Sequence, residues 1–126
     1  FIICKMPYDD QNIFAKILRG EIPCDKIYED DFVLSFYDIN PQKKIHALVI
    51  PKGKYIDLDD FNTNASDKEI IGLMKGITTV SKKLGISSID GKGYRALANI
   101  SDYGGQEVPH LHFHLFGGEK VGKMVS

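Results

Sequence analysis

The chain has only two cysteines among 126 residues, Cys4 and Cys24. That is too few for a disulfide-stapled secreted scaffold, and they lack the C-x-x-C spacing of zinc or redox motifs. Two reduced thiols are expected. Neither sign of charge is in excess: 16 basic side chains stand against 17 acidic ones, for a formal net charge of -1. A general nucleic-acid binder carries a basic excess, so no nucleic-acid partner is expected. No apolar run approaches the ~18 residues of a membrane span, and no membrane partner is expected. The stretch Ala47–Ile50 is only a strand's length. Phe1–Lys5 is too short, and has the wrong charge order, for a secretory signal. A cytoplasmic location is therefore expected, with Met6 as the natural start and residues 1–5 a non-native or disordered extension. Without such a signal the sequons at Asn64 and Asn99 read as chance. Repeats, low-complexity tracts and linkers are also lacking. With 43% hydrophobic and 26% charged residues, the composition is that of one globular domain over residues 1–126.

What is present begins with helix and strand signals. Gln11–Arg19 reads as a short helix with Ile13, Phe14, Ile17 and Leu18 on one face, stopped by Gly20 and Pro23. Strands are expected at Asp25–Tyr28, Phe32–Tyr37 and Ile45–Ile50, with Asn40-Pro41 turning the chain between the last two. Ser66-Asp67-Lys68-Glu69 fits a capping box, after which Ile70, Leu73, Met74, Ile77, Val80 and Leu84 recur at helical spacing up to Gly85. Gly72 and Gly76 lie four apart on that helix, where they admit a close neighbour or serve ordinary packing. Two more strands follow at Gly93–Asn99 and His110–Phe116. Five strands with hairpin-like spacing and two helices not interleaved with them make an α+β protein built on a five-stranded antiparallel sheet.

Three of the four histidines fall within five residues, His110-Leu111-His112-Phe113-His114. In a strand, alternate side chains share a face. The imidazoles would then line one side, with neighbours about 7 Å apart, while Leu111, Phe113 and Leu115 face the core. A slip of one residue would bury the histidines instead. Such a row suits metal binding, or nucleophilic and acid–base catalysis, since imidazole is a ligand, a nucleophile and a proton carrier near neutrality. The plainer alternative is a solvated polar row on a half-exposed strand. The upstream loop Ser101–Pro109 offers Gly104-Gly105, whose backbone N–H groups can turn toward an oxyanion, and the Gln106 amide beside them. Asp102 and Glu107 keep the metal reading open.

The run Gly104-Gly105-Gln106-Glu107-Val108-Pro109-His110-Leu111-His112-Phe113-His114-Leu115-Phe116-Gly117-Gly118 resembles the signature of the histidine-triad (HIT) family of nucleotide hydrolases and transferases. The likeness is to its nucleoside-phosphoramidase branch, in the bacterial form, and covers almost the whole chain. Ile13–Pro23 resembles that branch's first helix and its exit. Phe36–Pro41 and His46–Lys52 resemble its second and third strands, and Tyr94–Asn99 its fourth.

The resemblance implies that His112 attacks the phosphorus of a purine nucleoside 5′-phosphoramidate and forms a nucleotidyl-histidine, which water releases as a nucleoside monophosphate. His114 would bind the phosphate oxygens and help protonate the leaving amine. His110 would tune the triad through a proton relay that His46 completes. Backbone N–H groups near Gly105 and Val108 would stabilise the phosphoryl oxygens. Asp38 would hold the ribose, and Ile13, Phe14, Ile17, Phe36 and Ile39 would form an apolar slot for the base. Asn99 and Gln106 would reach the phosphate and ribose. Asp38 read alone fits a turn cap beside Asn40-Pro41 equally well, and the apolar residues read alone fit core packing. His114 stands where the transferases carry Gln, which favours hydrolysis.

The chain also departs from the family. Asn12 and Ala15 stand where some members have a zinc-binding Cys pair, so no metal and no cofactor is expected. Glu107 stands where some have Ser, and Glu119–Ser126 lacks the Trp-containing end of animal-type members. The resemblance further implies a homodimer with a ten-stranded sheet, joined through the Ser66–Leu84 helix and the fourth strand. A nucleotide-binding scaffold module and a dinucleoside polyphosphate hydrolase are the alternative readings.

Overall fold

The computed structural model describes residues 7–125; the expected start at Met6, the extension at 1–5 and Cys4 lie outside them. The first helix, α1 (Ile13–Leu18), begins where the Asn12 side chain accepts the Ala15 N–H, and Gly20, at φ 78°, ends it. Strands β1 (Lys26–Glu29), β2 (Val33–Tyr37) and β3 (Ile45–Pro51) follow. After α2 (Leu58–Asn64) and α3 (Asp67–Lys83) come β4 (Arg95–Ala98) and β5 (Phe113–Gly117). The strands pair antiparallel throughout in the order β1-β2-β3-β5-β4.

The described residues thus hold three helices rather than the two expected. The extra one, α2, has the sequence Leu58-Asp59-Asp60-Phe61-Asn62-Thr63-Asn64, and of these only Phe61 is buried. A single buried apolar residue leaves no helical periodicity to read. Its marker is Asp57, whose side chain accepts the Asp60 N–H. The capping box at α3 forms as the sequence implies: Ser66 accepts from the Glu69 N–H, and Glu69 reaches back to the Ser66 N–H.

The sheet is covered on both faces, and alternation along its strands sorts the side chains. On one face Val33, Ala47, Val49 and Leu115 pack with Leu73, Ile77 and Val80 of α3 and Phe61 of α2. On the other, Leu34, Phe36, Leu48 and Ile50 pack with Phe14 of α1. Each fully buried Leu, Val or Phe contributes roughly 2 kcal/mol. Gly72 and Gly76 bring α3 close to its own sheet rather than to a second helix. A Cβ at Gly72 would lie 2.6 Å from the Phe32 ring, and one at Gly76 would lie 3.1 Å from Val33.

The histidine run differs from the expected strand. β5 starts only at Phe113, so His110 and His112 precede it. The alternation nevertheless continues upstream, with Leu111 in the α3-side core. The imidazole side is not an open polar row: His110 is 0% and His112 6% exposed. The sheet is two-sided here, and Phe14 and Tyr8 lie edge-on against the imidazoles.

Candidate active site

His112, His114, His46 and Asp38 line a cleft of about 570 Å³ on the α1 side of the sheet. A larger groove of about 800 Å³ runs between the Gly85–Arg95 loop and Gly118–Val121. It contains no imidazole, so the chemistry belongs to the smaller cleft.

Hydrogen bonds fix which nitrogen of each ring is free. His112 Nδ1 lies 2.8 Å from the backbone carbonyl oxygen of His110. A carbonyl only accepts, so Nδ1 carries the hydrogen and Nε2 keeps its lone pair. The backbone N–H of Gln42 donates to His46 Nδ1 at 3.1 Å. In the neutral ring this leaves the hydrogen on Nε2, which lies 2.9 Å from His114 Nδ1. His114 therefore accepts at Nδ1 and carries its own hydrogen at Nε2. The cleft combines a nucleophilic nitrogen on His112 with an N–H donor on His114, their ring centroids 5.0 Å apart.

Burial keeps these rings neutral. Desolvation lowers the pKa of His112, against the opposing pull of its bond to His110 and of Asp38 and Glu107. Desolvation pushes His114 down to about 4, aided by His112 and His46. It pushes His110 to about 4 as well, and it lowers His46 against the attraction of Asp38. Asp38 takes the turn-cap role read from its sequence position. Its Oδ1 accepts the Asn40 N–H at 2.8 Å, and its Oδ2 lies 3.5 Å from His46 Nε2.

Among the described residues no ring-to-ring hydrogen bond joins His110 to the other imidazoles. His110 Nδ1 meets the Tyr8 hydroxyl and Nε2 meets the Pro51 carbonyl oxygen, so its ring turns away from the other imidazoles' nitrogens. Gly105 of the Gly-Gly loop lines the cleft. Its N–H donates to the Asp102 carbonyl oxygen, closing a turn at φ 75°. The Gln106 amide donates to the Ile56 and Val108 carbonyls and accepts the Ser101 N–H, so it braces the loop. Asn99 lines the cleft while donating to the Gly104 carbonyl oxygen at 2.7 Å, and Val108 lines it too.

Of the expected apolar slot, Phe14 lines the cleft. Phe36 and Ile17 belong to the cluster beneath it. Ile13 and Ile39 are 41% and 86% exposed. Leu48, Leu97 and Phe116 also contribute to the apolar wall, with the Phe116 ring stacked on His114 at 5.7 Å. Strand pairing supplies Leu97 and Phe116, and nothing in their local sequence marks them. Tyr8 was also missed, because 102 residues separate it from His110.

Asp38, His46 and His114 bring one ligand atom each to within 4.8 Å of one another. Two imidazoles and a carboxylate suit a divalent transition metal. Ligation there would break the His46–His114 hydrogen bond. It is a different trio from His110, His112 and His114, whose first member has both ring nitrogens engaged elsewhere.

The same architecture recurs among known proteins. Residues 19–121 match the HIT domain family. The chain belongs to that family. It is 49% identical over 119 residues to a 13.2 kDa HIT-like protein of Azospirillum brasilense, covering 94% of this chain and 95% of that one. It is 40% identical over 117 residues to the purine nucleoside phosphoramidase of Escherichia coli K12, covering 93% and 95%. A HIT family hydrolase from Clostridium thermocellum superposes with a TM-score of 0.82 at 35% identity, covering 93% of this chain and 98% of that one.

Proposed function

We propose that this HIT-family hydrolase cleaves the P–N bond of purine nucleoside 5′-phosphoramidates, giving a nucleoside monophosphate and an amine. The observation that carries the reading is the pairing of a bare His112 Nε2 with the His114 N–H in one cleft. As the anionic phosphate enters, its charge favours uptake of one proton by the His46–His114 pair beside Asp38. His112 Nε2 attacks phosphorus and the P–N bond breaks. His114 gives a proton to the departing nitrogen, which leaves as a neutral amine. The resulting nucleotidyl-imidazolium keeps its Nδ1–H on the His110 carbonyl oxygen. Water then attacks phosphorus and passes a proton to His114, and the bond to His112 Nε2 breaks. Covalent catalysis divides a difficult displacement into two easier ones.

Asp38, which lines the cleft, is the ribose acceptor, and Phe14, Leu48 and Val108 flank the base. A homodimer joined along β4 and α3 in the cytoplasm completes the proposal. It is supported by the place of β4 at the end of the sheet and by exposed Ile71 and Met74 on α3. The deciding experiment is hydrolysis of adenosine 5′-phosphoramidate in EDTA. AMP release by the native chain, lowered at least ~1000-fold in His112→Ala, is expected. A folded native chain that binds AMP without turnover would leave a nucleotide-binding module.

A further inference from the structure

Tyr8 approaches the buried His110 from the segment before α1. Its hydroxyl lies 2.5 Å from His110 Nδ1, and the two rings meet edge-on with centroids 5.6 Å apart. The other ring nitrogen, Nε2, lies 2.9 Å from the Pro51 carbonyl oxygen. That carbonyl can only accept, so the neutral ring carries its hydrogen on Nε2, and the Tyr8 hydroxyl donates to Nδ1. Burial keeps the ring neutral, its pKa pushed down to about 4.

The fold holds Tyr8 in place. Asp10 pairs with Lys54 Nζ at 2.9 Å, and its carbonyl oxygen accepts from Arg19 Nη1 at 2.8 Å. Asn12 donates to the Asp9 carbonyl oxygen at 2.7 Å while its own oxygen caps α1. The segment is thereby tied at successive residues to β3's exit and to the first helix. His110 in turn is tied at four atoms: Nδ1 by Tyr8, Nε2 by Pro51, its backbone N–H by the Val108 carbonyl oxygen, and its own carbonyl oxygen by His112 Nδ1–H.

We propose that Tyr8 is a positioning residue for the nucleophile: its hydroxyl, opposite the Pro51 carbonyl that sets the tautomer, fixes the orientation of the buried His110 ring and so steadies the His110 backbone, whose carbonyl holds His112 with Nε2 available. The proposal rests on His112 being the nucleophile. Without the hydroxyl, a lone pair on a fully buried ring has no donor, and a buried unsatisfied acceptor drives local rearrangement. Repacking around that buried ring shifts the adjoining 110–112 backbone, and a misplacement of ~1 Å at a reacting atom is enough to cost ~100-fold in rate.

Tyr8→Phe tests this, because it keeps the edge-on ring and removes only the donor. With adenosine 5′-phosphoramidate, kcat is expected to fall about tenfold, the size of one hydrogen bond, with KM within about twofold of native. Nitrogen-15 spectra of the imidazoles supply an independent readout. In the native chain His110 is expected as the Nε2–H form with Nδ1 hydrogen-bonded, and in Tyr8→Phe the Nδ1 resonance moves toward that of a free ring nitrogen. A native spectrum with the hydrogen on Nδ1 overturns the proposal. So does a folded Tyr8→Phe with native kcat, or one with lowered kcat and unmoved His110 resonances, which would mark a general structural defect. If the native chain shows no turnover, the assignment of His112 as nucleophile fails, and with it the proposal. The resonance shift would then report only a Tyr8–His110 bond.

Discussion

At the scale of single residues, the site works through tautomers set by the backbone. The Gln42 N–H and the His110 carbonyl oxygen are not chemical participants, yet they decide which nitrogen of His46, His114 and His112 is free. Burial decides the charge. His112, with a pKa below the ordinary 6.5, stays neutral as solutions are acidified through that value. The acid limb of kcat/KM is therefore expected below pH 6.5, and a limb at or above it would contradict the desolvation argument. The same shift has a stability consequence. His110 and His114 have folded pKa values near 4 against 6.5 when unfolded. Between those values the unfolded chain binds more protons, so their contribution is whole above pH 6.5 and is lost as pH falls toward 4. Tm should decline across that window. Asp38→Asn should raise KM for adenosine 5′-phosphoramidate about tenfold with little change in kcat, the signature of lost ribose binding.

At the scale of elements, α3 is positioned by what two of its residues lack. Replacing an exposed helical glycine by alanine ordinarily gains about 1 kcal/mol. At Gly72 the added methyl would meet the Phe32 ring at 2.6 Å, so Gly72→Ala is expected to destabilise by about 1–3 kcal/mol in denaturant unfolding. A gain would show that α3 can lift from β2 freely. The capping box is readable because Ser66 and Glu69 are three apart in sequence and act locally. Helix α2 is not, because tertiary burial of Phe61 rather than any periodic stripe holds it down. The hydrogen bonding of the Gly-Gly loop is hidden for a related reason. The sequence shows that backbone N–H groups can turn outward there, but not that Asp102 and Ser101 carbonyls accept those of Gly105 and Gln106.

For the whole molecule, the sheet order β1-β2-β3-β5-β4 brings His46 on β3 beside His114 on β5, residues 68 apart in sequence. It also leaves β4 at an end, where Arg95–Ala98 offers a strand edge to a second copy. Light scattering at micromolar concentration should return twice the mass of one chain. A single-chain mass would remove the ten-stranded assembly from the proposal.

The sequence by itself determined the α+β class, the antiparallel sheet, α3 with its cap and the concentration of imidazoles on one side of the run before and through β5. Those features rest on periodicity and on contacts between residues close in the chain, which a linear reading carries. Only the tertiary structure decided that the imidazole side is buried, that Leu48, Leu97 and Phe116 join the cleft wall, and that Tyr8 and Pro51 hold His110. Each of these depends on partners brought together by strand order and two-sided packing. Alternation gives the face of a side chain, but only the layer that lands on that face gives its environment.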